Sequence, residues 1–185
     1  DCLLSRGLGD VYKRQYSMWG GRFMSSSKSN CCAFGHRKIY FNIESELYAI
    51  IESLINEYGV ETFLTEGMGE TDEKFSSVVR SLKKVHPSIK LVLVIPYFSD
   101  VLNADKEYYE SMYDDIVLPD KLMGVHYKSA ITKRNKWIIE KSEYIIDCTY
   151  RDFGGAYNAV AYGKSLCKKI FKVKNNAQFS DEKWT

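Results

Sequence analysis

The sequence predicts an α/β fold: an open, mostly parallel sheet of about six strands with helices on both faces. Three observations predict it. Short apolar runs alternate with longer stretches of helical spacing between residues 30 and 174. Two of those runs, residues 90–95 and Tyr144–Cys148, are apolar almost throughout, as strands buried on both faces must be. The stretches between the runs are long enough to cross over the sheet, and only parallel neighbours need such crossovers.

The elements follow in order. Residues 31–34 form a short apolar run ended by Gly35. Residues 43–58 carry Ile43, Leu47, Ile50, Ile51, Leu54 and Ile55 on one helical face, and Gly59 stops that helix. A second strand is expected at 60–64, a second helix at 70–84 and a third strand at 90–95, with His86 and Pro87 at the turn before it. Beyond Pro96 a helix is expected at 103–113, a short strand at 115–118 and a polar loop at 120–127. Helical spacing resumes at 129–141 through Ile131, Trp137 and Ile138, with Trp137 read as core. The strand Tyr144–Cys148, the helix Gly155–Ser165 and a strand at 169–173 complete the pattern.

Of 185 residues, 45% are hydrophobic and 27% charged, which suits one sizeable core and a single domain over residues 30–174. Residues 1–29 are expected to be a lead-in without fold. Within it, residues 1–15 resemble the accidental translation of sequencing-adapter DNA and are expected not to belong to the protein. Residues 175–185 read as a polar tail. A net charge of +2 gives no general attraction to nucleic acid or anionic membrane, so both are disfavoured as partners. The fourteen tyrosines are spread along the chain and read as amphipathic packing. Five cysteines without C-x-x-C spacing, three of them in or beside apolar runs, suit reduced, buried thiols. Adjacent Cys31 and Cys32 would point to opposite faces of a strand, which does not make a zinc site. No apolar run approaches a membrane span and no signal-peptide pattern is present, so a cytoplasmic location is expected.

In a parallel sheet, ligands bind outside the carboxyl ends of the strands. That rule selects the loops at 35–40, 66–72, 96–100 and 149–155. The first carries Gly35, His36 and Arg37: a glycine that permits close approach, an imidazole that can titrate or bond a neighbouring loop, and a planar fork of donors suited to phosphate or carboxylate. The second packs Glu66, Glu70 and Asp72 around Gly67 and Gly69. These carboxylates can bond ribose hydroxyls, hold a hydrated Mg²⁺, act as a general base, or cap the following helix. Asp147 stands one residue from the end of its strand, where an acid can reach a ligand. Gly154 and Gly155 open a helix, whose free N–H groups suit an anion such as phosphate. The run Lys133-Arg134-Asn135-Lys136 reads on composition as a solvated basic face. Clustered there with Lys141, these cations would be the one route to a DNA-binding stripe.

A strand ending in Phe34-Gly35-His36-Arg37, the pair Arg134-Asn135 before the fifth strand, and the strand, acidic turn and Gly-Gly helix start from Asp147 to Gly155 together resemble the SLOG superfamily. This Rossmann-like group includes the LOG phosphoribohydrolases, the DNA-processing protein DprA and the small YpsA/YspA-like proteins of Gram-positive bacteria, and the small members are the nearest match. The resemblance spans residues 31–173. It implies a Rossmann-like sheet binding a nucleotide or nucleotide-derived ligand, with phosphate at Gly154 and Gly155, the first two loops around base or sugar, and Arg134 in the site. LOG enzymes carry P-G-G-x-G-T-x-x-E. Here residues 153–161 read F-G-G-A-Y-N-A-V-A, so Ala161 stands where the catalytic glutamate would be. A LOG-type mechanism loses its carboxylate.

The function expected is therefore a cytoplasmic binding protein, sensor or regulator for a nucleotide-derived ligand, with no catalytic residue assigned. The alternative is a hydrolase of an N-ribosidic or phosphate bond in which Glu66, Glu70 or Asp72 replaces the missing acid. The sequence leaves Mg²⁺ and a homodimer open.

Overall fold

The computed structural model describes residues 29–97 and 105–174. The expected lead-in (apart from Ser29), the expected tail, the end of the loop at 96–100 and the expected helix start at residue 103 lie outside the described residues. The elements are β1 (Ser29–Gly35), α1 (Glu44–Asn56), β2 (Val60–Thr65), α2 (Glu70–Lys83), β3 (Lys90–Val94), α3 (Lys106–Met112), β4 (Asp115–Val117), a 3₁₀ turn (Asp120–Leu122), α4 (Tyr127–Lys141), β5 (Tyr144–Cys148), α5 (Gly155–Ser165) and β6 (Lys169–Lys172). Ser29, expected in the lead-in, is already strand. The loop expected at 120–127 contains the 3₁₀ turn, and α4 starts two residues early. His126 is the reason, because its Nδ1 accepts from Lys128 N at 3.3 Å and caps the helix.

The sheet order is β4-β3-β2-β1-β5-β6. Every pair is parallel, so the sheet is wholly rather than mostly parallel. From β1 the chain steps outward through β2, β3 and β4, then returns to lay β5 on the other edge of β1. The switch point therefore lies between the carboxyl ends of β1 and β5, where Gly35 pairs with Cys148.

Successive strand residues enter opposite layers. Cys31, Ala33, Phe63, Leu91 and Ile146 pack with Leu47, Ile51 and Leu54 of α1 and Phe75, Val79 and Leu82 of α2. Cys32, Phe34, Leu64, Val92 and Ile145 pack with Ile138 and Ile139 of α4 and Ala159 and Val160 of α5, and Trp137 leans against that layer. Adjacent Cys31 and Cys32 thus lie in different cores. Among the described residues, no helix is long and apolar enough to cross a membrane.

Candidate functional site

The selected loops at 35–40, 66–72 and 149–155 lie at the carboxyl edge of the sheet, and short-range packing decides what each offers. Gly35 closes β1 against the first turn of α2. A Cβ there would sit 2.4 Å from Thr71 Oγ1 and 2.9 Å from Cys148 Cβ, so the close approach that this glycine permits is that of a helix. Thr71 Oγ1 then donates to His36 O at 2.7 Å, Glu70 N to Arg37 O at 3.0 Å, and Ile39 N to Glu70 Oε2 at 2.7 Å. Arg37 itself is exposed.

Neither Glu70 nor Asp72 caps α2, whose first cap position is Gly69 without a side-chain bond. Asp72 instead folds the preceding loop. Its Oδ1 accepts from Thr65 Oγ1 at 3.0 Å and Glu66 N at 3.3 Å, and its Oδ2 from Met68 N at 3.2 Å. Three donors satisfy a carboxylate that is 8% exposed. The turn runs through Gly67 at φ +67, in the left-handed region open to glycine.

Arg134 does not belong to a solvated face. Lys133 and Lys136 are exposed, but Arg134 is completely buried. Its Nη1 donates to Val94 O at 2.9 Å and Glu66 O at 3.1 Å, its Nη2 to Glu66 Oε2 at 2.8 Å, and its Nε to Asn135 Oδ1 at 2.8 Å. Four acceptors offset the cost of desolvating the guanidinium, and they join β3, the loop after β2 and α4. The basic stripe that would have suited DNA loses its central member. Burial pushes the Glu66 carboxyl up to about 7 against the pull of Arg134, and burial raises Asp72 as well.

At the end of β5, Asp147 faces inward beside Lys172, its partner across the β5–β6 ladder. Asp147 Oδ1 accepts from Thr149 N at 2.9 Å and Thr149 Oγ1 at 2.6 Å, and Oδ2 lies 3.1 Å from Lys172 Nζ. The chain then crosses toward β1. Tyr150 donates its hydroxyl to Lys38 O at 3.0 Å, and its ring stands edge-on to His36 at 4.4 Å and to Phe41 at 5.7 Å. His36 Nε2 accepts from Arg151 N at 3.2 Å, the inter-loop bond that was one of its two sequence readings. Burial, and next the Arg151 charge, lower the His36 pKa. The Arg151 guanidinium lies over Tyr150 at 5.1 Å and Phe153 at 5.9 Å.

Gly154, at φ +100, turns the chain into α5. Among the described residues no side chain caps this helix, its first turn carries no acid, and nothing beyond the helix's own backbone and the adjoining residues lies within 4 Å of where a Gly155 Cβ would be. Between the body of α5 and β6 opens a cleft of about 650 Å³, lined by the carboxylates Asp147 and Asp152 as well as by Arg151, Ala161, Lys164 and Lys172. Ala161 thus sits in the cleft wall. Tyr150, Arg151, Lys164 and Lys172 line this cleft, and sequence reasoning singles out none of them. The Asp147–Lys172 pairing needs the sheet order to be seen, whereas Tyr150 lies within a selected loop. The exposed Tyr40 and Phe153 also depart from the packing role read for the aromatics, since Tyr40 meets Tyr150 at 6.0 Å on the surface.

No family model matches the chain. It is 30% identical over 137 residues to the uncharacterised SPbeta prophage-derived protein YoqJ of Bacillus subtilis strain 168, covering 66% of this chain and 80% of that protein. DNA processing protein A of Helicobacter pylori, described for its single-stranded DNA binding mode, has a similar structure, with a TM-score of 0.57 and 15% identity over 81% of this chain and 67% of its own. DprA of Streptococcus pneumoniae matches with a TM-score of 0.57 and 12% identity over 83% of this chain, which spans 53% of the pneumococcal one. The molybdenum cofactor binding protein of Rippkaea orientalis matches with a TM-score of 0.50 and 15% identity, covering 80% of this chain and 77% of that one. At these identities the likeness is one of fold. It is a Rossmann-like α/β fold, the fold class that the sequence resemblance implied.

Proposed function

The chain belongs to the family of the SPbeta prophage-derived protein YoqJ of Bacillus subtilis, and from that premise we propose that it is a cytoplasmic sensor or regulator binding a nucleotide or nucleotide-derived ligand. Within the SLOG group we assign it to the small YpsA/YspA-like branch, with residues 30–174 as one domain. One observation carries the reading. Among the described residues the start of α5 has no side-chain cap, its first turn carries no acid, Gly155 is sterically open, and Asp152 and Tyr157 on either side of that start line a cleft of about 650 Å³. The free N–H groups of the helix start and the helix dipole favour a phosphate there. A Mg²⁺ would enter with that phosphate and Asp152 on the cleft rim, since this cation commonly takes one or two carboxylates plus ligand oxygens.

A hydrolase is the weaker reading. Glu66 and Asp72 direct their carboxylates into internal hydrogen bonds, Glu70 holds Ile39 N, and Ala161 offers the cleft no acid. A single-stranded DNA ligand is favoured by a different observation. Tyr40, Tyr150, Arg151 and Phe153 form a continuous line of ring and cation contacts at the surface, a surface on which bases can stack.

Titration calorimetry of the full chain with AMP, ADP-ribose and NAD tests the leading reading. Binding of at least one is expected, with Gly155→Asp abolishing it through repulsion at the helix start. No heat from any of them at millimolar concentration, together with a salt-sensitive gel shift of oligonucleotide, replaces it with the DNA reading.

A further inference from the structure

The crevice at the switch point is closed by the protein itself, and two hydrogen bonds hold it closed. From the loop after β5, Tyr150 donates its hydroxyl to Lys38 O at 3.0 Å and Arg151 N donates to His36 Nε2 at 3.2 Å, so a strap ties that loop to the one after β1. The Tyr150 ring meets three rings of the first loop, His36 at 4.4 Å, Tyr40 at 6.0 Å and Phe41 at 5.7 Å. A parallel sheet receives its ligand at this crevice. Here a side chain of the chain itself reaches across it.

The two bonds differ in what they ask of the acceptor. A backbone carbonyl accepts at any pH, whereas Nε2 accepts only while the imidazole is neutral and carries its proton on Nδ1. A protonated ring has N–H on both nitrogens, and the new Nε2–H then meets Arg151 N–H head-on. The surroundings add to that conflict. Facing His36 are Arg151 from the loop after β5, Lys172 from β6 and Asp147 from β5; burial and then the two cations lower the His36 pKa, and Asp147 opposes them. Asp147 is already engaged, with Lys172 Nζ at 3.1 Å and with Thr149. On the first loop itself the next two residues are the exposed cations Arg37 and Lys38. From the start of α2, Thr71 Oγ1 donates to His36 O, and the Glu70 carboxylate is held by Ile39 N. The Tyr150 ring already has the Arg151 guanidinium over it at 5.1 Å, so a second cation beside it is repelled.

We infer that the strap is an acid-released latch on the switch-point crevice: with His36 neutral, Tyr150 and Arg151 N–H hold the loops after β1 and β5 together, and protonation of His36 lets them part. The direction follows from proton linkage. The closed chain binds the imidazole proton less readily than the open one, so closure is complete above the ordinary histidine range and is lost as pH falls through the lowered His36 value. Opening frees Lys38 O and Arg151 N–H and uncovers the sides of Tyr40 and Phe41 that Tyr150 occupies. The latch and the phosphate site proposed above stand or fall separately, because the latch needs no bound ligand.

The test is amide hydrogen exchange of the full chain at about pH 8 and about pH 5, each rate taken relative to the intrinsic rate at that pH. In acid, residues 36–41 and 149–153 are expected to lose protection together by roughly two- to tenfold, the worth of one hydrogen bond, while residues 31–34 of β1 stay protected. His36→Phe keeps a ring beside Tyr150 but offers no acceptor, so both segments should exchange at the released rate at either pH. Glu66 titrates in the same window, and Glu66→Gln, which removes that second group, should leave the acid response of both loops intact. Protection of β1 in each variant verifies its fold. A native chain equally protected at both pH values overturns the latch, as does a loss confined to the Arg151 amide. So does an acid response that persists in His36→Phe or disappears in Glu66→Gln.

Discussion

Arg134 donates from Nη2 to Glu66 Oε2 at 2.8 Å with no part of the arginine exposed to solvent. The same guanidinium holds Val94 O and Glu66 O, so one side chain fastens the ends of β2 and β3 to α4. Its removal strands a buried carboxylate and two carbonyls. Arg134→Met is therefore expected to cost about 3–5 kcal/mol, whereas Glu66→Gln, which keeps an acceptor, should cost only about 1 kcal/mol. Urea unfolding of the three proteins measures this, and an Arg134→Met chain as stable as the native one would refute the account.

The same pair sets a pH dependence. Burial holds the Glu66 carboxyl at about 7 in the folded chain, against an ordinary value of 4.5, and burial raises Asp72 in the same direction. The folded state therefore keeps protons that the unfolded chain has released, and the stability this confers is full below the ordinary carboxylate range and lost as pH rises through 7. His36, lowered from 6.5, acts oppositely and only below that value. Stability is expected to fall by on the order of 1 kcal/mol from one unit below pH 7 to one unit above it. Glu66→Gln should flatten the slope, and a rising urea midpoint over that window in the native chain contradicts the assignment.

Two glycines of the site should respond in opposite ways to one methyl group. At Gly35 the added Cβ meets Thr71 and Cys148, and Gly35→Ala is expected to destabilise by about 1–3 kcal/mol through overpacking. Gly155 has open space and a helical position, so Gly155→Ala should be neutral or stabilising by about 0.5 kcal/mol. Equal losses in thermal denaturation would place Gly155, like Gly35, in a packing role.

What was legible in the sequence follows the range of the forces involved. Tyr144–Cys148 and Gly155–Ser165 were located to the residue because an apolar run and a glycine pair are local signals. The start of α4 was missed because the capping group is a histidine rather than serine or aspartate. On composition Arg134 reads as surface, and only the family resemblance puts it in the site, because its carbonyl acceptors on β3 and the loop after β2 lie 40 and 68 residues away and nothing local distinguishes it from Lys133. Lys172 gained meaning only when the sheet order set it beside Asp147. Tyr150 lay in a selected loop, but its partner Lys38 is 112 residues distant. The fold could be read from periodicity, whereas these side chains acquire their partners only through it.

Tyr150 offers the most direct check on the closed switch point. Its ring covers one side of His36, its hydroxyl holds Lys38 O, and the adjacent Arg151 N–H occupies the imidazole nitrogen that would otherwise take a proton. His36 should therefore titrate below 6.5 in the native chain, as burial and the Arg151 charge require. Tyr150→Ala removes the cover and loosens the strap, so the His36 value is expected to move back toward 6.5 while amide exchange at residues 36–41 accelerates and β1 stays protected. Tyr150→Phe keeps the ring and loses only the hydrogen bond, which should cost about 0.5–1.5 kcal/mol of local stability with little movement of His36. NMR titration of the His36 ring with hydrogen exchange resolves both effects. A native His36 that titrates at or above 6.5, or an Ala variant whose first loop exchanges no faster, means that the two loops are not joined across β1 and β5 in solution.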